Sequence, residues 1–197
     1  MFSKIRTQIC LIAISPLLMM NAAQAHWSLD NDESQLSFVT VKADNVAEAH
    51  TFETLTGSID DDGSIEISIE LASVNTMIDI RNERMRTMLF DTAMFPNATI
   101  SAKVDLDAII AMAPGTSDTQ SIEFSLELHG ASNSYTTDVM ITRSTHGVIA
   151  TTLKPVIVSA DTFALADGVE SLREIAGLTR ISKAVPVSFT VVFEQGH

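Results

Sequence analysis

Cysteine is almost missing from this chain of 197 residues, whose one thiol is Cys10. That thiol sits in an apolar run, Ile9 to Met20, which follows Lys4 and Arg6 and precedes Ala23-Gln24-Ala25. These are the charged, apolar and small-residue regions of a secretory signal peptide. With cleavage near Ala25, residues 26–197 carry no thiol, which excludes a disulfide, a thiolate metal site and a cysteine nucleophile. The context Thr7-Gln8-Ile9-Cys10 does not look like a lipoprotein processing site. No later apolar run approaches the about 20 residues of a helical membrane span. The expected product is an exported chain.

Positive charge is scarce too, 12 basic residues against 25 acidic. Loss of Lys4 and Arg6 deepens the imbalance, and a chain without a basic footprint is not a nucleic-acid binder. Anionic membrane surfaces repel it, except where Arg81, Arg84 and Arg86 cluster. The five histidines, His26, His50, His129, His146 and His197, are scattered, with none at metal-ligand spacing. No nucleophile elbow, P-loop or dinucleotide fingerprint occurs. Asp60-Asp61-Asp62-Gly63 invites a calcium loop, but aligning Gly63 with its sixth position puts Ile69 where a bidentate Glu is required. No catalytic set, metal site or cofactor is therefore expected. No Pro/Gly/Ser-rich linker or repeat divides the chain, which reads as a signal peptide over 1–25 and one domain over 26–197.

What the chain has is alternation. Leu36 and Phe38 alternate with Ser37 and Val39 in a strand over 28–42, and a second strand over 51–59 carries Phe52 and Leu55. After the Asp62-Gly63 turn, Ile65, Ile67, Ile69 and Leu71 alternate with polar residues, completing a hairpin. Strands follow over 99–106, 122–128 and 136–143, with His129-Gly130 as a turn, and 148–158 supplies one more strand or a pair of strand segments. The last, 185–193, places Val185, Val187, Phe189, Val191 and Phe193 on one face. Two stretches break this period. Asp167 and Glu170 open a short helix that Gly177 closes. Earlier, Ser73 to Ile100 holds a helical insert, with Asp79 and Asn82 as an imperfect N-cap signal. On a 100° wheel Ile78, Met85 and Leu89 form one stripe, Met88 and Arg81 lie at its edge, and Arg84 points elsewhere. Phe95-Pro96 ends the helical pattern. Periodicity alone leaves an antiparallel all-β barrel or sandwich open.

The order Ser73-Val74-x-Thr76, Arg81-Asn82-x-x-Met85-Arg86, Phe90-Asp91 and Phe95-Pro96-x-Ala98-Thr99 resembles the signature of the YceI-like proteins. Leu126-Glu127-Leu128-His129-Gly130 and the ending Val158 to Phe193 are similar to the same family, so the resemblance spans nearly all of 26–197. Asn82 stands where the family usually has Asp, Arg84 where His is frequent, and the region around Leu89 to Asp91 is one residue shorter. The resemblance implies an all-β fold, an eight-stranded antiparallel lipocalin-like barrel with two short helices. It implies periplasmic binding of polyisoprenoids or other long-chain amphiphiles, such as an isoprenoid quinone or polyprenyl lipid.

On that reading Phe38, Phe52, Met85, Met88, Leu89, Phe90 and Phe95 are the candidates to line or gate the cavity. Arg81 is the candidate to meet a phosphate or carbonyl head at the rim. Expected partners are the lipid itself, a membrane or membrane protein met in passing, and, as an open case, a second copy in a homodimer. Two rivals stay open: an enzyme acting on a bound hydrophobic substrate, and an interaction protein whose barrel is solidly packed.

Overall fold

The computed structural model describes residues 27–43 and 45–196, so the expected signal peptide and His26 lie outside the described residues. Eleven strands form: β1 Trp27–Lys42, β2 Val46–Phe52, β3 Leu55–Ile59, β4 Ser64–Glu70, β5 Val74–Asn75, β6 Asn97–Lys103, β7 Ser117–Leu128, β8 Ala131–Arg143, β9 Gly147–Thr152, β10 Val156–Ser159 and β11 Ala184–Gln195. Eight of them, in the order β1-β3-β4-β6-β7-β8-β9-β11, close an antiparallel barrel when β11 pairs with β1. The three extra strands extend one side: β2 and β5 beyond β1, and β10 beyond β11.

The two long strands carry this extension by exchanging partners. The start of β1 pairs with β3 (Trp27↔Ile59), and its end pairs with β2 from Leu36↔Phe52 to Lys42↔Val46. Strand β11 pairs low with β9 and high with β10. One strand expected over 51–59 is two, β2 and β3, because side chains satisfy the amides at the break. Ser73 Oγ accepts from the amides of Glu53 and Thr54, each at 3.1 Å, and Asn31 Oδ1 accepts from Leu55 N at 2.7 Å.

The lower end is closed. Asp105 Oδ1 caps a one-turn helix, α2 Leu106–Ile110, by accepting from Ala108 N at 3.0 Å. Its Leu106 and Ile109 lie against a buried layer that includes Trp27, Ile59, Val148 and Phe193. Arg143 sits over the Trp27 ring, 5.4 Å from its centroid, and donates from Nη1 to Gly147 O at 2.6 Å. Five residues are too few to show a helical period, so this helix is legible only in three dimensions.

The upper end is walled by the helical insert and a second helical segment. Helix α1, Asp79–Arg84, runs on into a π turn over Met85–Leu89, where Phe90 N donates to Met85 O at 2.9 Å. The structure corrects the expected cap: Ile78 holds the N-cap position without a side-chain bond. Asn82 reaches back instead, its Oδ1 accepting from Thr76 N at 2.8 Å and Thr76 Oγ1 at 2.6 Å. Helix α3, Ala166–Ile175, ends where Gly177 takes φ +63. Among the described residues the fold thus holds three short α-helices where two were expected.

Ile109 is 2% exposed and seals the lower layer. Ile109→Ala is expected to lower unfolding free energy in urea by about 2–4 kcal/mol.

Candidate functional site

A cavity of about 350 Å³ opens at the upper end. Beneath it, inside the barrel, lie smaller spaces of about 90 Å³ and 80 Å³. They form a column, because neighbours share walls. Phe90, Leu128, Val158 and Val187 line both the first and second, and Leu36, Ile100, Phe124 and Phe189 line both the second and third. In the two lower spaces the one polar lining side chain among the described residues is Thr137. The inward face of β11 follows this column down: Val185 and Val187 line the upper cavity, Phe189, Val191 and Phe193 the lowest space. This is the face that alternation assigns.

Thr137 apart, the polar lining among the described residues lies at the top. The inward phase of β1 runs Leu36, Phe38, Thr40, Lys42, and that of β2 runs Phe52, His50, Glu48. Both change from apolar to polar toward the mouth. Glu48 Oε2 accepts from Lys42 Nζ and from Arg81 Nη1, each at 2.7 Å. Arg81 Nη2 donates to Thr76 O at 2.6 Å, which fixes the guanidinium at the wall. His50 Nε2 lies 3.0 Å from Thr40 Oγ1, and the imidazole packs on Phe38 with centroids 5.3 Å apart. Two buried nitrogens here, His50 Nδ1 and Arg81 Nε, have no hydrogen-bond partner among the described residues. The hydrogen bond from Lys42, reinforced by Arg81, holds the Glu48 carboxyl below its usual range. Burial, with Arg81 nearby, pushes the His50 imidazole below its ordinary 6.5. Among the described residues no group of three or more His, Cys, Asp or Glu is placed to hold a metal ion.

The far wall is α3. Val169, Leu172 and Ile175 line the cavity, yet no residue of this amphipathic helix is buried. Its apolar face covers a hollow rather than a core. Gly168 lets it approach the π turn, since a Cβ there would stand 2.8 Å from Met88 O and 2.9 Å from Leu89 Cα.

Of the residues expected at the site, Phe38, Arg81, Met85, Leu89 and Phe90 line the upper cavity. Phe52 lines the space beneath, its ring 5.3 Å from Phe38 and 5.8 Å from Phe90. The structure corrects two placements. Met88 is 36% exposed and off the wall, because the 100° wheel no longer applies once the hydrogen-bond ladder skips to i→i+5. Phe95 also leaves the wall and packs at a tilt against His129 at the β7–β8 turn, centroids 4.3 Å apart and planes at 48°. Conversely Arg84, expected to point away, lines the cavity. Thr40, Lys42, Glu48 and His50 were not expected there, although extending the two-residue phase of Leu36 and Phe38, and of Phe52, leads to all four.

The low pKa of His50 has a consequence for stability. The unfolded chain takes up a proton near pH 6.5 that the folded chain resists, so this contribution is present above 6.5 and lost as pH falls through the folded value. Denaturant midpoints are expected to fall between about pH 7 and about pH 5, and His50→Gln to flatten that slope. Glu48 acts in a lower window, its contribution being lost as pH falls below 4.5.

The model of the YceI-like domain matches residues 27–193. Among solved structures, a polyisoprenoid binding domain from Saccharophagus degradans, implicated in plant cell wall breakdown, is 37% identical over 88% of this chain and 99% of that one, with a TM-score of 0.85. BcnA from Burkholderia cenocepacia is 19% identical over 83% of this chain and 98% of its own, with a TM-score of 0.65. A Campylobacter jejuni YceI protein is 14% identical over 75% and 84%, with a TM-score of 0.54. The last two are likenesses of fold. No curated protein matches the sequence. With its matched span covering all but the last two residues of the barrel, the chain belongs to the YceI-like family.

Proposed function

We propose that the protein binds a long-chain isoprenoid or similar amphiphile, such as an isoprenoid quinone or polyprenyl phosphate, in the periplasm, and carries it without transforming it. The observation that carries this reading is the column: an apolar interior beneath a mouth where Thr40, Lys42, Glu48, His50 and Arg81 gather. Its polarity gradient matches a molecule with one polar end. The upper cavity alone, at about 350 Å³, exceeds the roughly 300 Å³ at which small-molecule pockets begin. The unpartnered His50 Nδ1 and Arg81 Nε leave hydrogen-bonding capacity beside it. The related domain from Saccharophagus degradans is described as polyisoprenoid binding. Export rests on the Lys4-to-Ala25 pattern.

Native mass spectrometry of the protein purified from its own periplasm, followed by organic extraction, tests the reading. A stoichiometric long-chain lipid is the expected result. A ligand-free mass that persists after incubation with isoprenoid quinones and polyprenyl phosphates sinks it. Val187 stands where the upper cavity meets the next space. Val187→Trp is expected to weaken long polyprenyl chains at least about tenfold, the worth of two lost methylenes at about 0.8 kcal/mol each. A chain short enough for the upper cavity should be weakened less, as competition with a fluorescent probe would report.

A further inference from the structure

We propose that the upper end docks on the surface of a lipid bilayer, with Met77 and Ile80 as its points of entry; this rests on the carrier reading, whose ligand must leave and re-enter such a surface. Apolar surface runs from inside the cavity onto the exterior there. Ile78, Ile80 and Ile175 line the cavity and are 47%, 59% and 49% exposed. Met77, beside them in the chain, is 87% exposed. It also holds φ +61, a conformation that glycine and asparagine enter readily and other side chains resist. Asn75 Oδ1 accepts its amide at 2.8 Å and supports the turn. A long apolar side chain is thus kept outside the fold at a position that asks for a small or polar residue.

Charge orients the molecule the same way. The segments 41–43, 45–48, 77–92 and 160–184, which wall the mouth, hold seven of the ten Lys and Arg residues but eight of the 24 Asp and Glu among the described residues. The remainder is left with three basic residues against sixteen acidic. An anionic leaflet therefore repels the body strongly and the mouth hardly at all, so the end that meets the surface is the one with the exposed apolar rim. A second copy of so acidic a chain gains no such advantage.

Flotation with vesicles of phosphatidylethanolamine and phosphatidylglycerol tests this, comparing the native protein with Met77→Asn, which suits the positive φ, and with Met140→Asn on the outer face of β8 as control. Native protein and M140N should float, and M77N should partition about tenfold more weakly. Transfer of a fluorescent polyprenyl probe to vesicles should accelerate with vesicle concentration for the native chain and slow for M77N, whose equilibrium probe binding stays native. Equal flotation of M77N and native protein, or flotation of neither, overturns the docking. So does a Met77-dependent dimer in sedimentation without vesicle binding, which would make a second copy the occupant. Docking without probe binding would instead count against the carrier reading alone.

Discussion

The ladder between β1 and β11 is the constraint on which the rest of the architecture depends. It runs from Trp27↔Gln195 to Phe38↔Val187, with a register shift between Asp30 and Gln35. Below that irregularity the two strands belong to a closed ring of eight, a size whose interior side chains can just fill. Above it they turn to β2 and β10, the ring is no longer completed by strands, and helical segments complete the wall. One seam thus joins a packed half to a hollow half. Trp27 and Phe193, at its lower end, are 1% and 2% exposed, whereas Val185 and Val187, equally inward on β11, are only half-buried.

That division explains why the polar residues at the mouth are tolerated. Glu48 placed among Ile67, Val139 and Phe193 would be an uncompensated charge in a dry layer. At the mouth it has two cationic partners and keeps contact with water. Arg81 is held by Glu48 on one side and the Thr76 carbonyl on the other, so its charge is partly spent before any ligand arrives. Thr76 in turn is held by Asn82, the residue that departs from the family's usual Asp. A chain of contacts therefore links that departure to the polar rim.

Much of the barrel was legible because its strands are half-buried and period two survives in them. The β11 face was read residue by residue, as was the β3–β4 hairpin with Gly63 at φ +80. The site was less legible, for three physical reasons. The π turn changes the angular step inside the insert, which moved Met88 off the wall. The tertiary hydrogen bonds from Asn31 and Ser73 that split β2 from β3 leave no local signal. Thr40, Lys42, Glu48 and His50 face inward in perfect phase, but an inward polar residue looks like an outward one until the depth of the cavity is known.

For the lipid carrier proposed above, the loose end of this fold is as meaningful as the tight one. Burying a methylene is worth about 0.8 kcal/mol against water, but a lipid in a bilayer is already out of water, so the column gains little net affinity by being apolar. What it needs is a low barrier to exchange. Helix α3 is anchored at its start by Phe163 and Leu165, 0% and 6% exposed, and then crosses the mouth with no buried residue of its own. Elements with few buried apolar contacts open at the smallest free-energy cost. A rigid base sealed by α2 and Trp27, beneath a mouth walled by a helix with no buried residue, is the arrangement that the proposed exchange of a ligand calls for.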